Sequence, residues 1–264
     1  MDKLLEIKGL TVNINGKRVI DDASLGISSG KVTALVGESG SGKTMTALAM
    51  LKLLPGPAKI EKGEIIFRGS DILKKSEKEL QKIRGKDIAI VFQEPFTALN
   101  PVMRIKKQIE EVMIEHKKIH GKEIRTRLRI LLDMVRLPED TLFRYPHELS
   151  GGMCQRAMLA MALSCSPDIL ILDEPTTALD VSVQKEILDL IKQIQRNKGL
   201  GVLFITHDFS VVNMIADDIC VMKDGIIVES GSKEDVLFSA KHEYTRHLIG
   251  CIPRLGDKRK RFPV

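Results

Sequence analysis

Residues 31–54, KVTALVGESGSGKTMTALAMLKLL, limit what this chain can fold into more than any other stretch does. KVTALVG is continuously apolar, the pattern of a strand buried on both faces of a parallel sheet. The loop GESGSGKT follows at once and fits G-x-x-x-x-G-K-[ST], and the residues after it have helical character. Gly37, Gly40 and Gly42 let the backbone curl so that successive N–H groups point inward, while Glu38, Ser39 and Ser41 fill the variable positions. The helix start adds the positive end of its dipole, so strand, loop and helix make an anion nest of the right size for phosphates. Lys43 supplies a point charge for β- and γ-phosphates, and the Thr44 hydroxyl can ligate Mg²⁺.

Elsewhere the chain alternates between the two periodicities. LLEIKGLTVNI and RVIDDASLGIS flank the turn NGK and predict a half-buried antiparallel pair. Apolar runs at 88–92, 169–172 and 201–206, with helix-like stretches at 43–54, 155–164 and 181–197, predict a mostly parallel sheet covered by helices. From about 94 to 165, Lys, Glu, Met and Ile recur at helical spacing with no strand-like run, which predicts a helical subdomain inserted into the α/β core. Late in the chain, ICVMKDGIIVESG sets Asp224–Gly225 between two apolar arms, a strong hairpin signal.

Two further stretches carry chemistry. DILILDEPT (168–176) ends a buried strand with Asp173 and Glu174, at the edge where α/β sheets place ligands. Two adjacent carboxylates there would be costly in a plain core. They suit holding Mg²⁺ through Asp173 and orienting an attacking water through Glu174. LSGGMCQR (149–156) is a second glycine loop, in which Ser150 is a good N-cap and Gly151 and Gly152 leave N–H groups uncovered at a helix start.

The phosphate loop, LSGGM, ILILDEPT, TALD and FITHD follow one another in an order that resembles the ATP-binding cassette (ABC) proteins across nearly the whole chain. The resemblance implies a P-loop ABC ATPase core (1–93 and 166–235), with an N-terminal antiparallel β-subdomain, a helical signature subdomain (94–165) and a short C-terminal extension (236–264). It implies ATP and Mg²⁺ as the bound species. In that family LSGG closes over ATP held by the phosphate loop of a partner ATPase, a copy or a paralogue, so that two chains head to tail make two composite sites. By the same resemblance Gln93 ligates Mg²⁺ and senses the γ-phosphate, His207 contacts the γ-phosphate, and Asp180 reports to the opposite site. The family's adenine-stacking aromatic residue is missing from the first strand, where TVNING offers Ile14.

QEPFTALNP, YPHELSGGM, DEPTTALDVSVQKEILDLI and HEYTRHLIGCIP resemble the peptide and nickel importer ATPases, with Glu243 where the last string usually has proline. The partners so implied are two membrane permeases and, indirectly, an extracytoplasmic binding protein. The short end after this string points to nickel or a metallophore complex as cargo, with dipeptides or oligopeptides as the alternative. Cassettes acting on DNA or ribosomes typically carry a coiled-coil insertion or a second cassette, neither of which is found here, so no nucleic-acid partner is expected. His116 and His120 stand i, i+4 apart and read as a solvated helix face.

Composition agrees with this placement. The 264 residues are 43% hydrophobic, enough for a real core, yet no apolar run reaches the roughly 18–20 residues of a membrane-spanning helix. The N-terminus lacks a secretory pattern, and Cys154, Cys165, Cys220 and Cys251 form no C-x-x-C pair, which predicts a reducing compartment without zinc or disulfides. The expected location is the cytoplasmic face of the membrane, and the net charge of +6 is partly the run Lys258 to Arg261.

Overall fold

The computed structural model describes residues 3–117, 119–177 and 179–250, so Cys251 and the basic run Lys258 to Arg261 lie outside the described residues. Strands β1 (Lys3–Ile14) and β2 (Lys17–Ser28) form the expected antiparallel pair. Their turn has Asn15 at φ 50° and Gly16 at φ 86°, the two left-handed residues of the tight turn that matches strand twist. Strands β4 (Ala58–Phe67) and β5 (Ser70–Asp71) complete a four-stranded antiparallel sheet in the order β2-β1-β4-β5.

The second sheet contains β3 (Val32–Val36), β6 (Ile88–Val91), β7 (Ile169–Asp173), β8 (Gly201–Thr206), β9 (Asp218–Lys223) and β10 (Ile226–Ser232). Its order is β10-β9-β3-β8-β7-β6. All neighbours are parallel except β9 and β10, which are joined by the Asp224–Gly225 hairpin. Every residue of β3, β7 and β8 is buried, as their unbroken apolar runs require.

Side chains alternate strictly between the faces of this sheet. Leu35, Ile169, Ile171, Leu203 and Ile205 join the cluster that includes β1, β2 and α1 (Lys43–Met50). Leu170, Leu172, Val202 and Phe204 join the cluster that includes α4 (Ile105–Lys117), α5 (Lys122–Val135), α6 (Gly151–Leu163) and α7 (Val181–Lys198). The short helices are α2 (Glu77–Ile83), α3 (Pro95–Ala98), α8 (Phe209–Ile215) and α9 (Lys233–Phe238), and α10 (Glu243–Gly250) follows α9. Among its described residues segment 94–165 contains no strand, and its core is continuous with the sheet face beneath it.

Helix α1 ends at Met50 rather than 54. Lys52 adopts φ 48° while its N–H reaches Ala49 O and the Leu53 N–H reaches Leu48 O, a Schellman stop that the approaching Pro55 enforces. His116 belongs to α4 and His120 lies beyond its end, so the two histidines do not share a helix face. Glu243 opens α10, a helix position that suits an acidic residue. No described helix is long and apolar enough to cross a membrane.

Candidate active site

The phosphate loop leaves the carboxyl end of β3 and feeds α1. It is held on both sides: Gly225 N–H donates to Ser41 O at 2.9 Å, and Glu38 N–H donates to the Tyr244 hydroxyl at 3.1 Å. Gly42 sits at φ 106°, and a Cβ there would stand 2.7 Å from Val19 O. Gly40, at φ 81°, supplies another left-handed step that L side chains resist.

Lys43 is 5% exposed, and its ammonium donates to Gly37 O at 2.8 Å, Glu38 O at 2.7 Å and the Ser41 hydroxyl at 3.4 Å. Burial pulls its pKa down, and the carboxylates of Glu174, Asp173 and Glu38 oppose that pull. The Thr44 hydroxyl donates to Asp173 Oδ1 at 3.2 Å, and burial raises the Asp173 carboxyl above its ordinary value, with that hydrogen bond acting against the rise. A hydroxyl and a carboxylate oxygen side by side form a hard donor pair that fits Mg²⁺.

Glu174 turns out of β7 at φ 46°, a left-handed conformation unusual for a residue with a Cβ, and its N–H is tied to Ile205 O at 3.0 Å. Its carboxylate is held from three elements. Gln93 Nε2 donates to Oε2 at 3.0 Å, the Thr177 hydroxyl donates to Oε2 at 2.9 Å, and His207 Nδ1 lies 3.1 Å from Oε1. These side chains, Lys43 and Thr44 line one open cleft of about 520 Å³. The arrangement sets a glycine-rich loop and a hydroxyl–carboxylate pair beside a positioned carboxylate, a set that can serve metal-assisted phosphoryl transfer to water.

Ser150, Gly151, Gly152 and Asp180 do not line this cleft. The Ser150 hydroxyl caps α6 by accepting the Met153 N–H at 3.3 Å. Asp180 Oδ1 caps α7, accepting Ser182 N–H at 3.1 Å and Val183 N–H at 3.0 Å, and the Ser182 hydroxyl and these amides lower its pKa. The two helix starts abut, since a Cβ on Gly152 would meet Val183 Cγ1 at 2.7 Å.

Three lining residues were not legible in the motifs. Thr177 reveals itself only through its bond to Glu174. Val19 of β2 and Met45 of α1 form the apolar part of the wall, and Ile14 is not among the residues lining the cleft. Val19 lies on β2, the arm of the hairpin opposite Ile14 of β1.

Residues 20–177 match the family described as ABC transporter. The chain belongs to the ABC transporter family. It is 44% identical over 260 residues to the oligopeptide transport ATP-binding protein OppD of Bacillus subtilis (strain 168), covering 96% of this chain and 73% of that protein. It is 43% identical over 262 residues to the dipeptide transport ATP-binding protein DppD of the same strain, covering 97% and 78%. The glutathione import ATP-binding protein GsiA of Salmonella typhimurium is 44% identical over 278 residues, and there the chain spans 45% of the relative's length. Among solved structures, the dimeric post-hydrolysis cassette MJ0796 bound to ADP and Pi superposes with TM-score 0.76 at 29% identity, covering 86% of this chain and 98% of that one. CbiO1 from Clostridium perfringens, part of the ABC transporter complex cbiONQ, gives 0.80 at 30% identity, covering 89% and 91%. The protein is an ABC ATPase, one whose ATP hydrolysis is coupled to transport.

Proposed function

We propose that this chain is the ATPase subunit of a peptide importer and that the cleft between the phosphate loop and Glu174 is its hydrolytic site. The observation that carries the reading is the Glu174 carboxylate fixed by Gln93, Thr177 and His207 in the same cleft as Lys43. Residues Gly37 to Thr44 cradle the phosphates, with Lys43 on the β- and γ-oxygens, and Val19 and Met45 give the base an aliphatic wall in place of an aromatic one. Thr44, Asp173 and Gln93 would hold Mg²⁺, which would supply charge neutralisation to the phosphates. Glu174 takes a proton from the water that attacks the γ-phosphorus while the bond from that phosphorus to the β,γ-bridging oxygen breaks and ADP leaves, and His207 steadies both that carboxylate and the γ-phosphate.

Ser150, Gly151, Gly152 and Asp180 serve the site of a second ATPase chain, copy or paralogue, packed head to tail. Their separation from the cleft of their own chain, and the contact between the two helix starts that carry them, support this role. Closure would be passed to two permeases on the cytoplasmic membrane face through the groove between the sheet and the 94–165 segment, which Phe92, 40% exposed, helps to line. An extracytoplasmic binding protein would deliver the cargo.

Relatives named for oligopeptide, dipeptide and glutathione transport favour peptides over a nickel complex as cargo. The test is uptake of a labelled oligopeptide and of radiolabelled nickel, side by side, in cells carrying the unsubstituted chain or Lys43→Ala. Loss of peptide uptake alone supports the reading. Loss of nickel uptake alone transfers it to the metal branch, and no change in either removes the importer assignment.

A further inference from the structure

Tyr244 lies outside residues 20–177, in α10, yet its hydroxyl reaches the phosphate loop. The peptide group it touches joins Gly37 to Glu38. The N–H of that group donates to the Tyr244 hydroxyl at 3.1 Å, and its C=O accepts from the Lys43 ammonium at 2.8 Å. One peptide plane is thus held at both ends, by a tyrosine from the chain's C-terminal third and by the buried lysine of the loop. A rotation of that plane that freed the N–H would also swing the carbonyl away from Lys43, because the two bonds point in opposite directions from one rigid unit.

The tyrosine is itself firmly placed. Its ring is buried in a cluster with Val36, Phe209 and Val221, and the Lys223 ammonium stands 4.9 Å from the ring centroid. Glu229 on β10 fixes the approach to α10 by accepting the N–H groups of Lys241 at 2.7 Å and His242 at 3.1 Å. Burial raises the Tyr244 phenol above its ordinary value, so the hydroxyl remains neutral at physiological pH.

We infer that Tyr244 is a positioning residue of the phosphate loop: its hydroxyl sets the Gly37–Glu38 peptide so that Gly37 O holds the Lys43 ammonium in place for the phosphates. This inference rests on the reading of the cleft as the nucleotide site. It makes α10 a structural input to nucleotide affinity.

The test uses the full chain with Tyr244→Phe, which keeps the ring and removes the hydroxyl, beside Lys223→Met, which removes the cation from the ring and leaves the hydroxyl. Lys43→Ala serves as the site control. Binding of a fluorescent ATP analogue, steady-state KM and kcat for ATP, and thermal melting without nucleotide are read for each. Tyr244→Phe is expected to weaken binding and raise KM about fivefold, with kcat retained at saturating ATP and the melting temperature within about 2 °C. Unchanged affinity in Tyr244→Phe, with binding lost in Lys43→Ala, overturns the inference and leaves the site reading standing. Equal weakening in Lys223→Met, with Glu38 amide exchange as slow as in the unsubstituted protein, also overturns it, because affinity would then fall with the Tyr244 bond intact. If Lys43→Ala binds normally, the site reading fails. Should Tyr244→Phe melt early, amide exchange of Glu38 in the unsubstituted protein decides: slow exchange supports the bond, and exchange at the rate of an open loop refutes it.

Discussion

Gly37→Ala isolates the close approach on which the phosphate loop depends. A Cβ built at Gly37 would lie 2.0 Å from Met222 O, about 1 Å nearer than the 3.0 Å below which real Cβ contacts essentially never occur. The obstacle is backbone, and it belongs to β9, whose residue Val221 pairs directly with Val36 of β3, so it cannot swing aside as a side chain would. Gly37 is not among the residues with positive φ, which makes the effect steric rather than conformational. Relief requires the loop to lift from β9, a movement that strains the Gly225 N–H to Ser41 O bond and the Gly37 O contact with Lys43. Overpacking of this kind costs about 3 kcal/mol, the upper end of the usual range, because neither partner is flexible. At roughly 2–4 °C per kcal/mol for a chain of this size, melting should fall by about 6–12 °C. Losing one hydrogen bond to a charged group should weaken ATP about tenfold or more. Gly56→Ala is the matched control, since nothing lies within 4 Å of a Cβ there and its φ is ordinary. Calorimetry and fluorescent-nucleotide titration of both variants are the assays. If Gly37→Ala melts and binds like Gly56→Ala, the close approach is not what selects glycine at this position.

Glu174→Gln should retain ATP binding and accumulate a closed dimer while hydrolysis falls by about 10²-fold or more, and normal turnover would remove Glu174 as the base. Ser150→Ala deletes the 3.3 Å cap on α6 and should cost about 1 kcal/mol, a melting decrease of roughly 2–4 °C, together with hydrolysis that drops while nucleotide binding persists; parallel loss of binding would argue against the two-chain site. Burial raises the thiol of Cys154 to about 11 and that of Cys220 to about 12, from an ordinary value of 9.0. The unfolded chain therefore ionises first, so the stability these thiols lend is complete below pH 9 and is lost as pH rises from 9 towards 11–12. Chemical denaturation across that window checks the slope, and rapid alkylation of Cys154, Cys165 or Cys220 in the native protein at pH 8 would contradict their burial.

The phosphate loop was legible because its chemistry needs consecutive residues: three glycines, a lysine and a threonine between a buried strand and a helix. The Asn15–Gly16 and Asp224–Gly225 hairpins were legible for the same local reason, since each pair of left-handed residues is a property of the dipeptide. Helix α1 was read four residues too long, because its stop is a backbone conformation at Lys52, a residue type that carries no such signal. Val19 on β2 and Met45 on α1 carry no local signal, because an ordinary aliphatic residue announces nothing until the packing of strand and helix turns it towards a cleft.

The sequence by itself determined the class of chemistry and the order of the elements that carry it, because periodicity, turn residues and anion-binding loops are written over stretches of a few residues. Only the tertiary structure decided which distant groups meet. Gln93, Thr177 and His207 converge on one carboxylate from positions separated by up to 114 residues, counted from 93 to 207, and Tyr244 closes on Glu38 across 206. Such contacts are fixed by sheet order, in which β3, β8 and β7 lie side by side although other elements separate them along the chain, and no local pattern encodes that order.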